Sequence, residues 1–176
     1  MAIKQIDIML QLQRASAGSG KTFTLAKKFI WFLISIKEDG KPRRLRTPRE
    51  IGDGLGRILA ITFTNKATNE MKQRIVAKLA DLSRAAEEEA SEGLLDSVAY
   101  LKEFSEDLNV SPKAIGSACR EALSVLLNDY SDFRVSTIDS FFQSILRTFA
   151  YESNLNDSYQ VEIDTDYLAT AAVDAT

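Results

Sequence analysis

Apolar residues fall into two kinds of pattern along this chain: stripes at helical spacing and short continuous runs. In residues 21–37, Phe23, Ala26, Ile30 and Leu33 form one stripe, and Leu25, Phe29, Phe32 and Ile36 form a second beside it. So wide an apolar arc suits a helix packed on a sheet and covered again on its other side. Trp31 on that helix is expected in the core or at a domain contact. From Asn65, read as the N-cap, Met71, Ile75 and Leu79 mark one face of another helix. Residues 81–128 read as helical and acidic, with a break near 109–112. Phe141, Phe142, Ile145, Leu146 and Phe149 predict a last helix over 139–151. The continuous runs are residues 8–14, 57–63 (RILAITF, read as buried) and 133–138 (FRVSTI), each expected as a strand. A short VEI segment follows at 161–163.

Residues 38–57 break the pattern. Pro42, Pro48 and Gly40, Gly52, Gly54 and Gly56 argue against a regular element through the segment. Five cations lie between Lys41 and Arg49. A long cationic loop is expected there, either functional or a mobile insertion.

Composition narrows the chemistry. At 176 residues and 45% apolar, the chain suits one domain, or a domain with part of another, and not a disordered polymer. No apolar stretch reaches the ~20 residues of a membrane span, and the first residues lack the core of a signal peptide. The single cysteine, Cys119, allows no internal disulfide, which points to a reducing cytoplasm. With no histidine, triads with a His base and His-ligated zinc are excluded. Charge is split. Residues 1–80 hold 16 basic and 6 acidic side chains, a balance of +10, and residues 81–176 hold 6 and 19, a balance of −13. The basic half suggests a polyanionic ligand, although solvated surface accounts for either half equally well.

Three segments carry chemistry. The first is ASAGSGKT at 15–22, which matches the P-loop G-x-x-x-x-G-K-[ST] except for Ala15 at its first position. Gly18 and Gly20 permit the tight turn. Backbone amides through Ser16, Ala17, Gly18, Ser19 and Gly20 then point at phosphate oxygens at the positive end of the following helix. Lys21 would neutralise the β- and γ-phosphates, and the Thr22 hydroxyl would ligate Mg²⁺. The expected cofactor is therefore a nucleoside triphosphate with Mg²⁺. The second segment, AITFTNKA at 60–67, is a strand end rich in hydroxyls that opens into a helix. Its Thr62, Thr64 and Asn65 could bond phosphate oxygens and its Phe63 could stack on a base; a capped helix with a buried Phe is the alternative. The third, VSTIDSFF at 135–142, taken alone reads as a strand followed by an N-cap.

Together, in this order and spacing, the three segments resemble the N-terminal motifs of superfamily 1 DNA helicases of the UvrD/Rep type, and most nearly the AddA/RecB-type helicase–exonuclease subunits. ASAGSGKT resembles motif I, TFTNKATNEMKQR motif Ia, and VSTIDSFF motif Ib. The resemblance spans residues 8–80 and 133–152. It implies ATP and Mg²⁺ at Lys21 and Thr22 as catalytic residues, and Phe23 near the adenine. It implies single-stranded DNA at Phe63, Thr64 and Asn65 and at Thr137, Ser140 and Phe141. Asp139 stands where that family usually has His, and a carboxylate repels a phosphate backbone, so Asp139 is not counted among the DNA contacts.

The family's D-E-x-Q-D/E box and its later arginine motifs do not occur in these residues. Asp129 only loosely mimics the former and reads as a helix-end surface residue. The expectation is an incomplete RecA-like α/β P-loop core, a parallel sheet with flanking helices. Residues 1–80 and 131–150 would form it, with a helical insertion at 81–130 and the start of a further subdomain at 151–176. The longer protein would couple ATP hydrolysis to movement along single-stranded DNA. The rest of its own chain (a second RecA-like domain) and a second helicase–nuclease subunit are the expected partners. The alternatives are a small P-loop phosphotransferase with 38–57 as its lid, and a nucleotide-gated DNA-binding module without hydrolysis.

Overall fold

The computed structural model describes residues 21–86 and 95–152. The expected strand at 8–14, the P-loop residues 16–20, the Glu-rich run at 87–89 and the VEI segment at 161–163 lie outside the described residues. The chain forms two compact units, 1–136 and 137–176.

The first unit is mixed α/β and mostly helical. Helix α1 (Lys21–Ile34) leads into a hairpin of β1 (Ser35–Ile36) and β2 (Arg44–Leu45). Helix α2 (Pro48–Leu55), strand β3 (Ala60–Thr62) and the long α3 (Asn65–Ala85) follow. Next come α4 (Leu95–Leu108), α5 (Pro112–Asn128), a single 3₁₀ turn at Tyr130–Asp132 and β4 (Val135–Thr137). β3 and β4 are neighbours in a small parallel sheet, and the Ala60 N–H donates to the Arg134 carbonyl at 2.9 Å.

The core forms where the helical stripes meet. α3 contributes Met71, Ile75, Leu79 and Leu82, and α5 contributes Ile115, Cys119, Ala122 and Leu126, all inaccessible to solvent. Both sets step by three or four residues, so each marks one helix face. α1 adds Phe29, Ile30, Leu33 and Ile34. Each such Leu or Ile contributes about 1.5–3 kcal/mol by leaving water. α5 approaches α3 closely at Gly116, where a Cβ would fall 2.1 Å from the Ala86 methyl. Between α1 and α4 a row of rings packs together: Phe23 on Tyr100 (5.2 Å between centroids), Tyr100 on Phe104 (6.0 Å), and Trp31 on Phe104 (4.8 Å). Trp31 is thus a core-flanking residue, as expected.

Three sequence expectations need correction. The segment 38–57 is not a loop throughout. Thr47 caps α2 in a capping box with Glu50, and Pro48 sits at the first helical position, where it has no hydrogen bond to lose. α2 places Ile51 and Leu55 in the core. Second, the strand at 57–63 shortens to three residues and is not buried, for Leu59 and Ile61 are 43% and 41% exposed. Third, the outer stripe of α1 is only partly covered. Phe29 is buried, but Leu25 and Phe32 are about half exposed.

The second unit is described through α6 (Ile138–Glu152). Thr137 accepts the Ser140 N–H on its hydroxyl at 3.2 Å, the bond that an N-cap makes to the first turn. Asp139 lies in that first turn, where the helix dipole favours a negative charge. Phe142, Leu146 and Phe149 are more than half exposed.

Candidate functional site

The site begins at the tip of β3. Thr64 leaves the strand in an extended conformation (φ −127°, ψ 153°), and its side chain accepts the Ala67 N–H at 3.1 Å. It is therefore Thr64, one residue before the expected Asn65, that caps α3. The cap satisfies the third amide of the helix. The Asn65 and Lys66 N–H groups remain as outward donors at its positive end. No acidic side chain lies in the first turn of α3.

A second hydroxyl, which spacing alone does not single out, fixes this turn. Thr68 Oγ1 lies 2.6 Å from Thr62 Oγ1 and donates to the Thr64 carbonyl at 3.2 Å. Thr68 is buried. Its place in the sequence, four residues after the cap, was the only signal. The outcome is a rigid bend that turns Phe63 outward. Phe63 is 85% exposed, so the alternative of a capped helix with a buried Phe does not hold. Thr64 and Asn65 are exposed beside it, and Thr62 is half-buried. A bare ring flanked by a hydroxyl, a carboxamide, two free amides and the Lys66 ammonium can stack a planar group and hold an anion next to it.

In the second unit, Thr137 is buried and bonds Ser140 through hydroxyl oxygens 2.8 Å apart. Ser140 is exposed and Phe141 half-buried, its ring edge-on to Phe142 at 5.8 Å between centroids. Thr137 thus spends its hydroxyl on the start of α6, while Ser140 faces solvent.

Of the nucleotide site, Ser16, Ala17, Gly18, Ser19 and Gly20 lie outside the described residues. The described part is compatible with a phosphate: no carboxylate lies in the opening turn of α1 as described, from Lys21 on, to repel an anion. Thr22 is half-buried in that turn. Phe23 packs on Tyr100 of α4.

The five cations of 41–49 do not share one fate. Lys41 and Arg44 are neutralised: Glu38 pairs with Lys41 at 2.7 Å and with Arg44 at 2.6 Å, and Glu50 pairs with Arg44 at 2.8 Å. Hydrogen bonds from Lys41 and Arg44 hold the Glu38 carboxyl below its ordinary range. Those from Arg44 and the Thr47 N–H depress Glu50 further. Arg43 and Arg46 have only neutral hydrogen-bond partners.

No helix among the described residues is long and apolar enough to cross a membrane. The family model for the UvrD/REP helicase N-terminal domain matches residues 10–175. The chain is similar to an ATP-dependent helicase/nuclease protein of Pelotomaculum thermopropionicum, 31% identical over 88% of this chain and 9% of that protein. It is similar to the protein of the same name in Lactobacillus acidophilus, 29% identical over 87% of this chain and 9% of that one. With ATP-dependent DNA helicase UvrD1 of Mycobacterium tuberculosis it shares 40% identity over 40% of this chain and 7% of the helicase. The chain therefore spans about a tenth of the length of the curated relatives it matches. No solved structure matches it. The family match over nearly the whole length shows the family: the chain belongs to the UvrD/REP helicase N-terminal domain family.

Proposed function

We propose that this chain is the ATP- and DNA-binding front part of an ATP-dependent DNA helicase, of the kind that works with a nuclease. In this reading Ser16 to Gly20, Lys21 and Thr22 hold ATP with Mg²⁺, and Phe23 lies toward the adenine. Phe63, Thr64 and Asn65 hold single-stranded DNA, and Thr137, Ser140 and Phe141 are further DNA-binding residues. Residues 1–80 and 131–150 form a RecA-like core, 81–130 an insertion, and 151–176 the start of a further subdomain. A second RecA-like domain and a partner protein complete the machine in the cytoplasm.

The observation that carries the reading is the exposure of Phe63 on a turn braced by three threonines, beside uncapped helix amides. Stacking on such a ring tolerates any base, as a motor that moves along a strand requires. Bound ATP–Mg²⁺ would supply the phosphoryl group whose loss drives movement. Lys21 would neutralise its charge, and the α1 amides would orient it. The water-positioning carboxylate and the arginines that phosphoryl transfer needs are not supplied by these 176 residues, so the chain alone should bind ATP weakly and not turn it over. The core contacts of Ile51 and Leu55 speak against 38–57 as a phosphotransferase lid.

The test is fluorescence anisotropy of the 176-residue chain with a labelled oligothymidylate, alongside binding of a fluorescent ATP analogue. Phe63→Ala with Asn65→Ala should abolish DNA binding and keep nucleotide binding, and Lys21→Ala should do the reverse. DNA affinity unchanged by the first pair of substitutions overturns the reading.

A further inference from the structure

At the opposite end of β3 from the strand tip lies an open pocket of about 400 Å³. Its lining includes Lys37 from the end of the first hairpin strand, Arg43 and Arg46 from either side of β2, and Arg57 from the approach to β3. No carboxylate lines it. Arg43 donates to Ser35 Oγ at 3.0 Å, and Arg46 to the carbonyls of Phe32, Ser35 and Glu50 at 3.2–3.3 Å. These bonds aim both guanidinium groups without neutralising them. The side chains of Lys37 and Arg57 have no hydrogen bond or ion pair among the described residues.

Placing Arg43 and Arg46 in the pocket is costly for the fold. Burial holds the pKa values of Arg43 and Arg46 below the ordinary arginine value; at Arg46 the attraction of Glu50 works against burial, and repulsion from Arg43, Arg57 and Arg44 works with it. Glu38 and Glu50 lie close by in the sequence, yet their carboxylates bond Lys41 and Arg44 instead. Guanidinium forks fixed by neutral hydrogen-bond partners, with no carboxylate bonded to them, form a receptor for an oxyanion.

An aromatic ring identifies the class of ligand. Phe32 lines the pocket, the Arg43 guanidinium lies 5.6 Å from its centroid, and the ring is still 46% exposed. A cation beside an open ring is the pairing that single-strand binding uses, with phosphate on the cation and base on the ring. A route to the strand tip exists as well. Leu59, which lines the pocket, Ile61 in β3 and Phe63 just past the strand are 43%, 41% and 85% exposed. From Leu59 to Phe63 even a fully extended chain covers at most about 13 Å, roughly two nucleotides of a single strand.

We propose that the pocket formed by Lys37, Arg43, Arg46 and Arg57 is a second backbone site for single-stranded nucleic acid, which holds phosphate groups of a strand whose bases also reach Phe63. The inference rests on the DNA-binding reading above but on other residues, so the two can fail separately.

The test is anisotropy of the 176-residue chain with labelled oligothymidylate across a salt series from low to physiological NaCl. Lys37→Ala with Arg57→Ala removes two cations that no described residue pairs, and Lys102→Ala with Lys113→Ala is a charge-matched control on α4 and α5. The pocket variant should lose about tenfold in affinity at low salt, and its log–log salt slope should shrink by about 1.4, which is ~0.7 for each lost phosphate contact. The control should keep wild-type affinity and slope. If the pocket variant also keeps both, the inference is overturned, while the response of Phe63→Ala/Asn65→Ala still decides the function above. Equal losses in pocket and control variants overturn it too, since net charge would then be the cause. Competition by oligoglutamate as strong as that by unlabelled oligothymidylate, lost in the pocket variant, would assign the pocket to an acidic peptide and also overturn it.

Discussion

The hydroxyl oxygens of Thr62 and Thr68 lie 2.6 Å apart, and their hydrogen bond joins the last residue of β3 to the first turn of α3. Thr68→Val keeps the shape and removes the bond. It should cost about 1 kcal/mol in urea unfolding. It should also weaken oligothymidylate binding several-fold, because the bend that presents Phe63 loosens. Unchanged DNA affinity in a destabilised Thr68→Val protein would separate the bond from ligand binding.

Glu50 closes the capping box of α2 and pairs with Arg44. Its pKa is depressed by the Arg44 hydrogen bonds first and the Thr47 N–H second. A depressed carboxyl contributes stability that is present above its unfolded pKa near 4.5 and is lost as pH falls below it. Thermal midpoints of the wild type should therefore fall between about pH 5 and pH 3, and Glu50→Gln should flatten that fall. The pair is partly exposed, so about 1 M NaCl should shrink the difference between the two proteins.

Cys119 titrates the other way. Burial pushes its thiol up from 9.0 to about 12. A raised pKa means that stability is complete below about pH 9 and is lost as pH climbs toward about 12. Melting curves from about pH 8 to pH 10.5 should show wild type losing more than Cys119→Ala across that range. Thiol-specific reagents at about pH 8 should label the native protein only at its rate of opening, and label it fast in denaturant.

Gly116 faces Ala86 where α5 meets α3, with only 2.1 Å from its would-be Cβ to the Ala86 methyl. Gly116→Ala gains up to ~1 kcal/mol of helix propensity but forces the helices apart. Overpacking of this kind costs about 1–3 kcal/mol, so the net change should be destabilising in chemical denaturation. The double variant with Ala86→Gly should recover much of the loss.

The sequence showed some of this architecture and hid the rest for identifiable reasons. α1, α3, α5 and α6 were legible because their apolar residues recur every three or four positions, and the break at 109–112 because Asn109 and Pro112 flank it. α2 was missed because Pro48, Gly52 and Gly54 outweighed the T-P-x-E signature of Thr47 to Glu50, which announces a helix start. The hairpin strands, two residues each, are too short to leave a period. At the candidate site, residue types and spacing placed Thr64, Asn65 and Phe63 on a strand–helix turn. The exposure of Phe63 and the Thr62–Thr68 bond depend on which way the turn bends, which spacing does not encode. Likewise, five cations could be counted between Lys41 and Arg49, but which of them Glu38 and Glu50 would neutralise is a property of the folded hairpin.

α3 carries the strand tip at one end and packs on α5 along much of its length. Its 21 residues make a rod of about 31 Å. A tilt of about 5° at the far end would swing the tip by roughly 3 Å, close to the thickness of a stacked base. Work done on the helical pair would thus arrive at Phe63 as a displacement of useful size, and a tug on Phe63 would be felt back at Gly116.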